Sequence, residues 1–198
     1  MELPRLKKQI LYLASCSARR RRIMTWLGFE FRVRRPRFTE PIVGTHPRPS
    51  LLALHNARAK ALSITGSVPA GFIIGVDTVV ALGRRVMGKP ASPADAERTL
   101  KTLSGRTHRV ISGVAVVRKD DGCIFSGTET TAVTFRVLSN REIASYCRTA
   151  EPLDKAGAYA IQHKAGLFVR RIDGCYLNVV GLPVALLLRL LKRSGWKS

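Results

Sequence analysis

Residues 71–82 read GFIIGVDTVVAL. Apart from two glycines, Asp77 and Thr78, the run is apolar and rich in β-branched residues, which predicts a strand. Asp77 is the anomaly. A carboxylate in an apolar strand is expensive to bury unless it is paired or binds a metal. Downstream, GRR (83–85) turns the chain back into RVM, a hairpin signal. Twelve residues past Asp77, Gly88-Lys89-Pro90 sets a lysine between a flexible and a rigid residue, pointing across the same strand ends. Each alone has a bland reading: a structural hydrogen bond for Asp77, a solvated loop for Lys89.

Working outward, strand and helix signals alternate. QILYLAS (9–15) reads as a short buried strand, Ser15 or Ser17 as the cap of a following helix, and Gly28 as its stop. FEFRV (29–33) alternates like a strand, and Ser50 is expected to cap a helix over LLALHNARAKALSI. In SPADAERTLKTLSG, Ser92, Pro93, Asp95 and Gly105 give concordant cap, first-turn and stop signals. HRVISGVAVVRK (108–119) and CIFSGTETTAVTFRVL (123–138) form a predicted hairpin across Asp120, Asp121 and Gly122. SNREIASYCRTA (139–150) opens with a capping-box spacing, Ser139 to Glu142. EPLDKAGAYAIQHKAG (151–166) has no clear period, GLFVRRI (166–172) reads as a strand, and LPVALLLRLLKRSG as a closing helix. Hairpins mixed with crossover helices predict an α/β protein on a mixed sheet, without internal repeats.

Length and composition bound the rest. The 198 residues, 45% of them hydrophobic, suit a single domain over 1–198 with a sizeable core. Cys16, Cys123, Cys147 and Cys175 are widely spread with no CxxC pair, which points to free thiols and a reducing compartment. No segment is apolar enough for a membrane span, and the amino-terminal run is too short for a signal peptide, so a soluble cytoplasmic protein is expected. The net charge of +21 raises the prospect of a polyanionic partner. Its distribution argues against a nucleic-acid platform: 11 basic residues fall in the first 40, the other 23 are scattered, and aromatics are only 7%.

The basic concentration falls in LASCSARRRR (13–22), where four arginines open a helix. A helix amino end already repels cations, so the arrangement costs stability unless an anion sits there. Strand, small-residue turn and basic first turn together make a phosphate seat. Successive residues lie about 100° apart around a helix, so four arginines cannot share one ligand. Arg19 and Arg20 fit best, and Arg21 and Arg22 are expected in solvent.

In order and spacing, LAS-C-S-ARR, VDTVV, GKP, LSGRTHRVISGV, EPLDKAGAYAIQ and VVGLP resemble the motifs of the Maf-like nucleotide pyrophosphatases, from about residue 9 to residue 191. The resemblance implies a hydrolase that cleaves nucleoside triphosphates to monophosphate and pyrophosphate with a divalent cation, Mg2+ or Mn2+. It also implies a mixed α/β fold of two lobes around a central cleft, and a cytoplasmic homodimer. By the same resemblance, Asp77 is the catalytic carboxylate near the metal, Lys89 the GKP lysine, Arg19 and Arg20 the arginine pair, and Ser15 and Ser17 the serines. Glu40, in FTEP, matches less closely a glutamate beyond the second strand that is expected at the metal. Arg19, Thr78 and Gln162 resemble the specificity positions of the branch acting on dTTP and UTP. The chain departs from the family pattern at Ala18, Ala160 and His163. Asn56 is read as standing where relatives carry a lysine, a loss that Arg58 or Lys60 can replace. His55 and His163 lack partners at metal-ligand spacing, and Arg106 is a further candidate. The rivals are a nucleic-acid-binding protein on the same scaffold and a pyrophosphatase for modified nucleotides.

Overall fold

The computed structural model describes residues 9–41, 46–149 and 151–197. The reading of the amino-terminal run falls partly on residues outside these. Among the described residues seven strands form one mixed sheet: β1 (Leu11–Ala14), β2 (Phe31–Arg34), β3 (Phe72–Leu82), β4 (Arg85–Met87), β5 (Thr107–Arg118), β6 (Ile124–Phe135) and β7 (Val169–Asp173). Their order is β2-β1-β3-β5-β6-β7, with β4 added to β3. β1 runs parallel to β2 and β3, and the β3-β5-β6-β7 half is antiparallel. This is the mixed α/β architecture the sequence predicts.

Among the described residues six α-helices accompany the sheet: α1 (Ala18–Trp26), α2 (Pro49–Leu62), α3 (Pro93–Leu103), α4 (Asn140–Cys147), α5 (Tyr176–Val180) and α6 (Val184–Arg193). Ser17 caps α1 by accepting from the Arg20 amide at 3.4 Å. Ser92 caps α3, and the Ser139–Glu142 capping box at α4 is complete. Ser50 is not the cap of α2. Pro49 starts that helix, with Arg48 ahead of it and no side-chain cap, because the fixed φ of proline suits a first helical position. β2 begins two residues later and ends one residue later than the FEFRV alternation suggests, and β7 follows a 3₁₀ turn over Lys164–Phe168. α5 has too few residues to declare a helical period in the sequence.

Alternate residues of the strands feed two different cores, as the period of two requires. Leu11, Leu13, Ile74 and Val76 pack with Ile23 and Met24 of α1, Leu100 of α3, Ile143 of α4 and Leu187 of α6. Tyr12, Ala14, Ile73, Ala115 and Val117 pack with Ala57 and Ala61 of α2. α2 comes unusually close. A Cβ on Gly75 would lie 2.1 Å from the Ala57 carbonyl oxygen, and one on Gly113 would lie 2.3 Å from that of Ala53. Two glycines on neighbouring strands thus let the helix sit against the sheet backbone.

β3 is longer than its neighbour β1, and this creates the site. The last β1–β3 pair is Ala14–Gly75, and β4 joins β3 only from Val80. Between those points residues 76–79 have no strand partner on that edge among the described residues. Side chains from both faces of the strand, Asp77 and Thr78, therefore reach one opening.

Candidate active site

That opening is a cavity of about 1050 Å³. The residues assigned by the family resemblance all line it: Ser15, Ser17, Arg19, Arg20, Glu40, Asp77, Thr78, Lys89 and Gln162. Arg106, His55 and His163 are exposed and do not line it. Arg21 and Arg22 face solvent as expected.

On the α2 side the chemistry is ionic. Asp77 is buried, and its Oδ1 accepts from Lys60 Nζ at 2.5 Å while Oδ2 accepts from Asn56 Nδ2 at 3.0 Å. Lys60 also donates to Glu40 Oε1 at 2.6 Å, and Lys89 Nζ lies 3.7 Å from Glu40 Oε2. The ammonium thus bridges a buried and a half-exposed carboxylate. Burial works against the charge on Glu40, but Lys60, with help from Lys89 and Arg20, holds its carboxyl below the usual range. Lys60 sits one turn beyond Asn56 on the same helix face, so the lysine read as missing is supplied four residues later. Asn56 keeps a different place, against Asp77, with its own Oδ1 buried and unpartnered among the described residues.

On the opposite face one guanidinium organises hydroxyls and a carbonyl. Arg20 donates from Nε to the Gly181 carbonyl at 2.9 Å, from one terminal nitrogen to Ser15 Oγ at 3.3 Å, and from the other to Thr78 Oγ1 at 3.1 Å. Ser15 Oγ also accepts from the Ser17 amide at 3.2 Å. Burial lowers the Arg20 pKa, and the charge of Asp77 opposes that fall. Arginine stays protonated in either case. Arg19 reaches a different partner, with a terminal nitrogen 3.9 Å from Asp154.

The aperiodic stretch around DKAGAYAIQ closes the cavity. Gly157 takes φ 73°, and a Cβ there would lie 2.9 Å from Val80, so the turn presses directly on β3. Buried Lys155 donates to the Glu151 carbonyl at 2.7 Å and to the Asp154 carboxylate, and it lines the cavity with Tyr159 and the exposed Gln162. His108, behind the cavity, is a core residue: its Nε2 pairs with the Tyr159 hydroxyl at 2.8 Å, and its ring meets Phe135 edge-on.

Sequence reasoning missed Ser112, Lys155, Asp154 and the Gly181 carbonyl, and it undervalued Lys60. The four-residue spacing of Asn56 and Lys60 opposite a buried aspartate was the available signal. The partners of Arg20 and Thr78 are set by strand register and carry no local mark.

Fold and cavity together define an α/β protein whose cleft sets a buried aspartate, bridged by Lys60 to a half-exposed glutamate, opposite a buried guanidinium held by hydroxyls and a carbonyl. The model of the Maf-like protein family matches residues 10–194, and the chain belongs to that family. A dTTP/UTP pyrophosphatase of Carboxydothermus hydrogenoformans is 44% identical over 186 residues, covering 94% of this chain and 99% of the relative. One of Moorella thermoacetica is 46% identical over 188 residues, covering 93% and 95%. A solved nucleoside-triphosphatase (dITP/XTP pyrophosphatase) of Mycobacterium abscessus overlays at a TM-score of 0.39 with 15% identity, covering 64% of this chain and 73% of that one. That overlay is too loose to build on.

Proposed function

We propose that this chain is a nucleoside triphosphate pyrophosphatase that hydrolyses dTTP and UTP to the monophosphate and pyrophosphate. The observation that carries the reading is the convergence of Asp77, Glu40, Lys60, Lys89, Arg19 and Arg20 on one cavity. Membership of the family, and the names of relatives matched along nearly their whole length, support it. A triphosphate repels nucleophiles, so cations must neutralise it and stabilise charge migrating to the leaving pyrophosphate. Lys89 and Arg19, which both line the cavity, supply such charge. Asp77 accepts the proton of the water that attacks the α-phosphorus. Its contacts with the Lys60 ammonium and the Asn56 amide fix its orientation. Gln162 offers both a donor and an acceptor, which suits a uracil-type edge.

Asp77 and Glu40 would hold a divalent cation. The donor set fits: both carboxylates line the cavity, and beside Asp77 lies the unpartnered Asn56 Oδ1. Mg2+ or Mn2+ favours such oxygens and commonly takes one or two carboxylates together with substrate phosphates. When bound, the ion would acidify a coordinated water and offset phosphate charge.

A single functional domain and a homodimer follow from the family resemblance. The cytoplasmic setting follows from it too, with four free cysteines in agreement. No helix of the described residues is long and apolar enough to cross a membrane. A nucleic-acid-binding role would leave the buried Lys60–Asp77 pair and Gln162 without a purpose.

The test is a panel of canonical and modified triphosphates, with and without manganese, scored for pyrophosphate. Metal-dependent release greatest from dTTP and UTP is expected. Release from none of the panel, with steeply salt-dependent binding of DNA or RNA, would overturn the reading.

A further inference from the structure

Thr78 and Ser112 face each other across β3 and β5, with their hydroxyl oxygens 2.8 Å apart. Either atom can be the donor in that pair, and the surroundings decide which. A guanidinium can only donate, so the Arg20 contact at 3.1 Å uses one acceptor site of Thr78 Oγ1. Ser112 is fully buried, at 0% exposure, and among the described residues its hydroxyl has Thr78 as its side-chain partner. If Thr78 donated to Ser112, the Ser112 hydrogen would be a buried donor with nothing to bond. The satisfied arrangement has Ser112 donating to Thr78. Both acceptor sites of Thr78 are then occupied, and its own hydrogen is left for the cavity that Thr78 lines.

Ser15 repeats the pattern. Its oxygen accepts from the Ser17 amide and from Arg20, which leaves its hydrogen as the remaining hydrogen-bonding capacity. A cation donating into a hydroxyl also strengthens that hydroxyl as a donor.

We propose that Ser112 is a positioning residue for the nucleotide: with Arg20 it fills the acceptor sites of Thr78, so that Thr78 meets the substrate as an obligate hydrogen-bond donor. The complementary atom is an oxygen without a hydrogen to give, either a phosphate oxygen or a pyrimidine carbonyl. This rests on the reading of the cavity as a nucleotide site. It adds a residue outside the cavity that acts only through another.

The experiment is a double-mutant cycle over Ser112→Ala and Thr78→Val, read as KM and kcat for dTTP and as calorimetric binding of inorganic pyrophosphate. Ser112→Ala is expected to raise KM about tenfold with little change in kcat, the size of one well-placed hydrogen bond. Thr78→Val should do at least as much, and the double variant no more than Thr78→Val, because Ser112 has no route to the substrate except Thr78. Ser112→Thr, which keeps a hydroxyl, should recover most of the loss. Weakened pyrophosphate binding would put the acceptor on a phosphate, and a defect confined to dTTP would put it on the base; both support the proposal. Additive effects, or a lowered melting temperature with KM unmoved, would overturn it. If the native chain hydrolyses no triphosphate, the proposed function fails on its own, and the same cycle read as calorimetric affinity for both dTTP and pyrophosphate still decides the role of Ser112.

Discussion

Asp77 and Thr78 are neighbours in sequence, yet they belong to different chemistries. Asp77 points to the α2 face, where carboxylates and ammonium groups neutralise one another at contact distance. Thr78 points to the α1 face, where a single guanidinium organises hydroxyls and a carbonyl. The period of two separates a wall of ion pairs from a wall of hydroxyls around a guanidinium, and the edge at 76–79, unpaired among the described residues, opens both to one cavity. One strand that outruns its neighbour is enough to build a two-sided site.

The largest expected effect lies on the ionic wall. Asp77→Asn should cut metal-dependent pyrophosphate release from dTTP by about 10²–10⁴-fold, the usual worth of a general base, with circular dichroism unchanged. Turnover near native would remove Asp77 from its role.

Lys60→Met comes next and separates stability from catalysis. It leaves a buried aspartate without its cation, a change that typically costs about 3–5 kcal/mol, measurable by urea unfolding. A loss near zero would mean that the Lys60–Asp77 contact is not a buried pair in solution.

The α1 face should in turn be the acid-sensitive one. Burial against Phe135 and Tyr159 pushes His108 down to about 4. The unfolded chain titrates near 6.5 and takes up a proton that the fold refuses, so stability present above that pH is lost as pH falls toward 4. The loss is about 3 kcal/mol. Melting temperatures from pH 7.5 to 4.5 should show it, and His108→Gln should flatten the slope.

The smallest effect is expected at the rim. Gln162→Ala should reduce the preference for dTTP and UTP over purine triphosphates about tenfold or less, and total turnover less than that. An unchanged substrate profile would take base reading away from Gln162.

Much of this was legible in the sequence because the signals are local. β3 announces itself by composition, α3 and α4 by their caps, and the cavity residues by motifs that hold their order. What stayed hidden depends on approach and register. Nothing local tells that Gly75 and Gly113 admit α2 to the sheet backbone, and that approach brings the Lys60 ammonium onto Asp77. Ser112 becomes a partner of Thr78 only through the β3–β5 register. Ser50 misled because a serine before an apolar run is a fair cap signal, and Pro49 overrode it.

The most direct test is a crystal structure with manganese and a dTTP analogue whose α–β bridge cannot be cleaved. The account predicts the triphosphate lying across residues 76–79, with the ion against Asp77 and Glu40 and the cradle of Arg20, Ser15 and Thr78 on its other side. A nucleotide bound elsewhere, with that strand edge untouched, would contradict it.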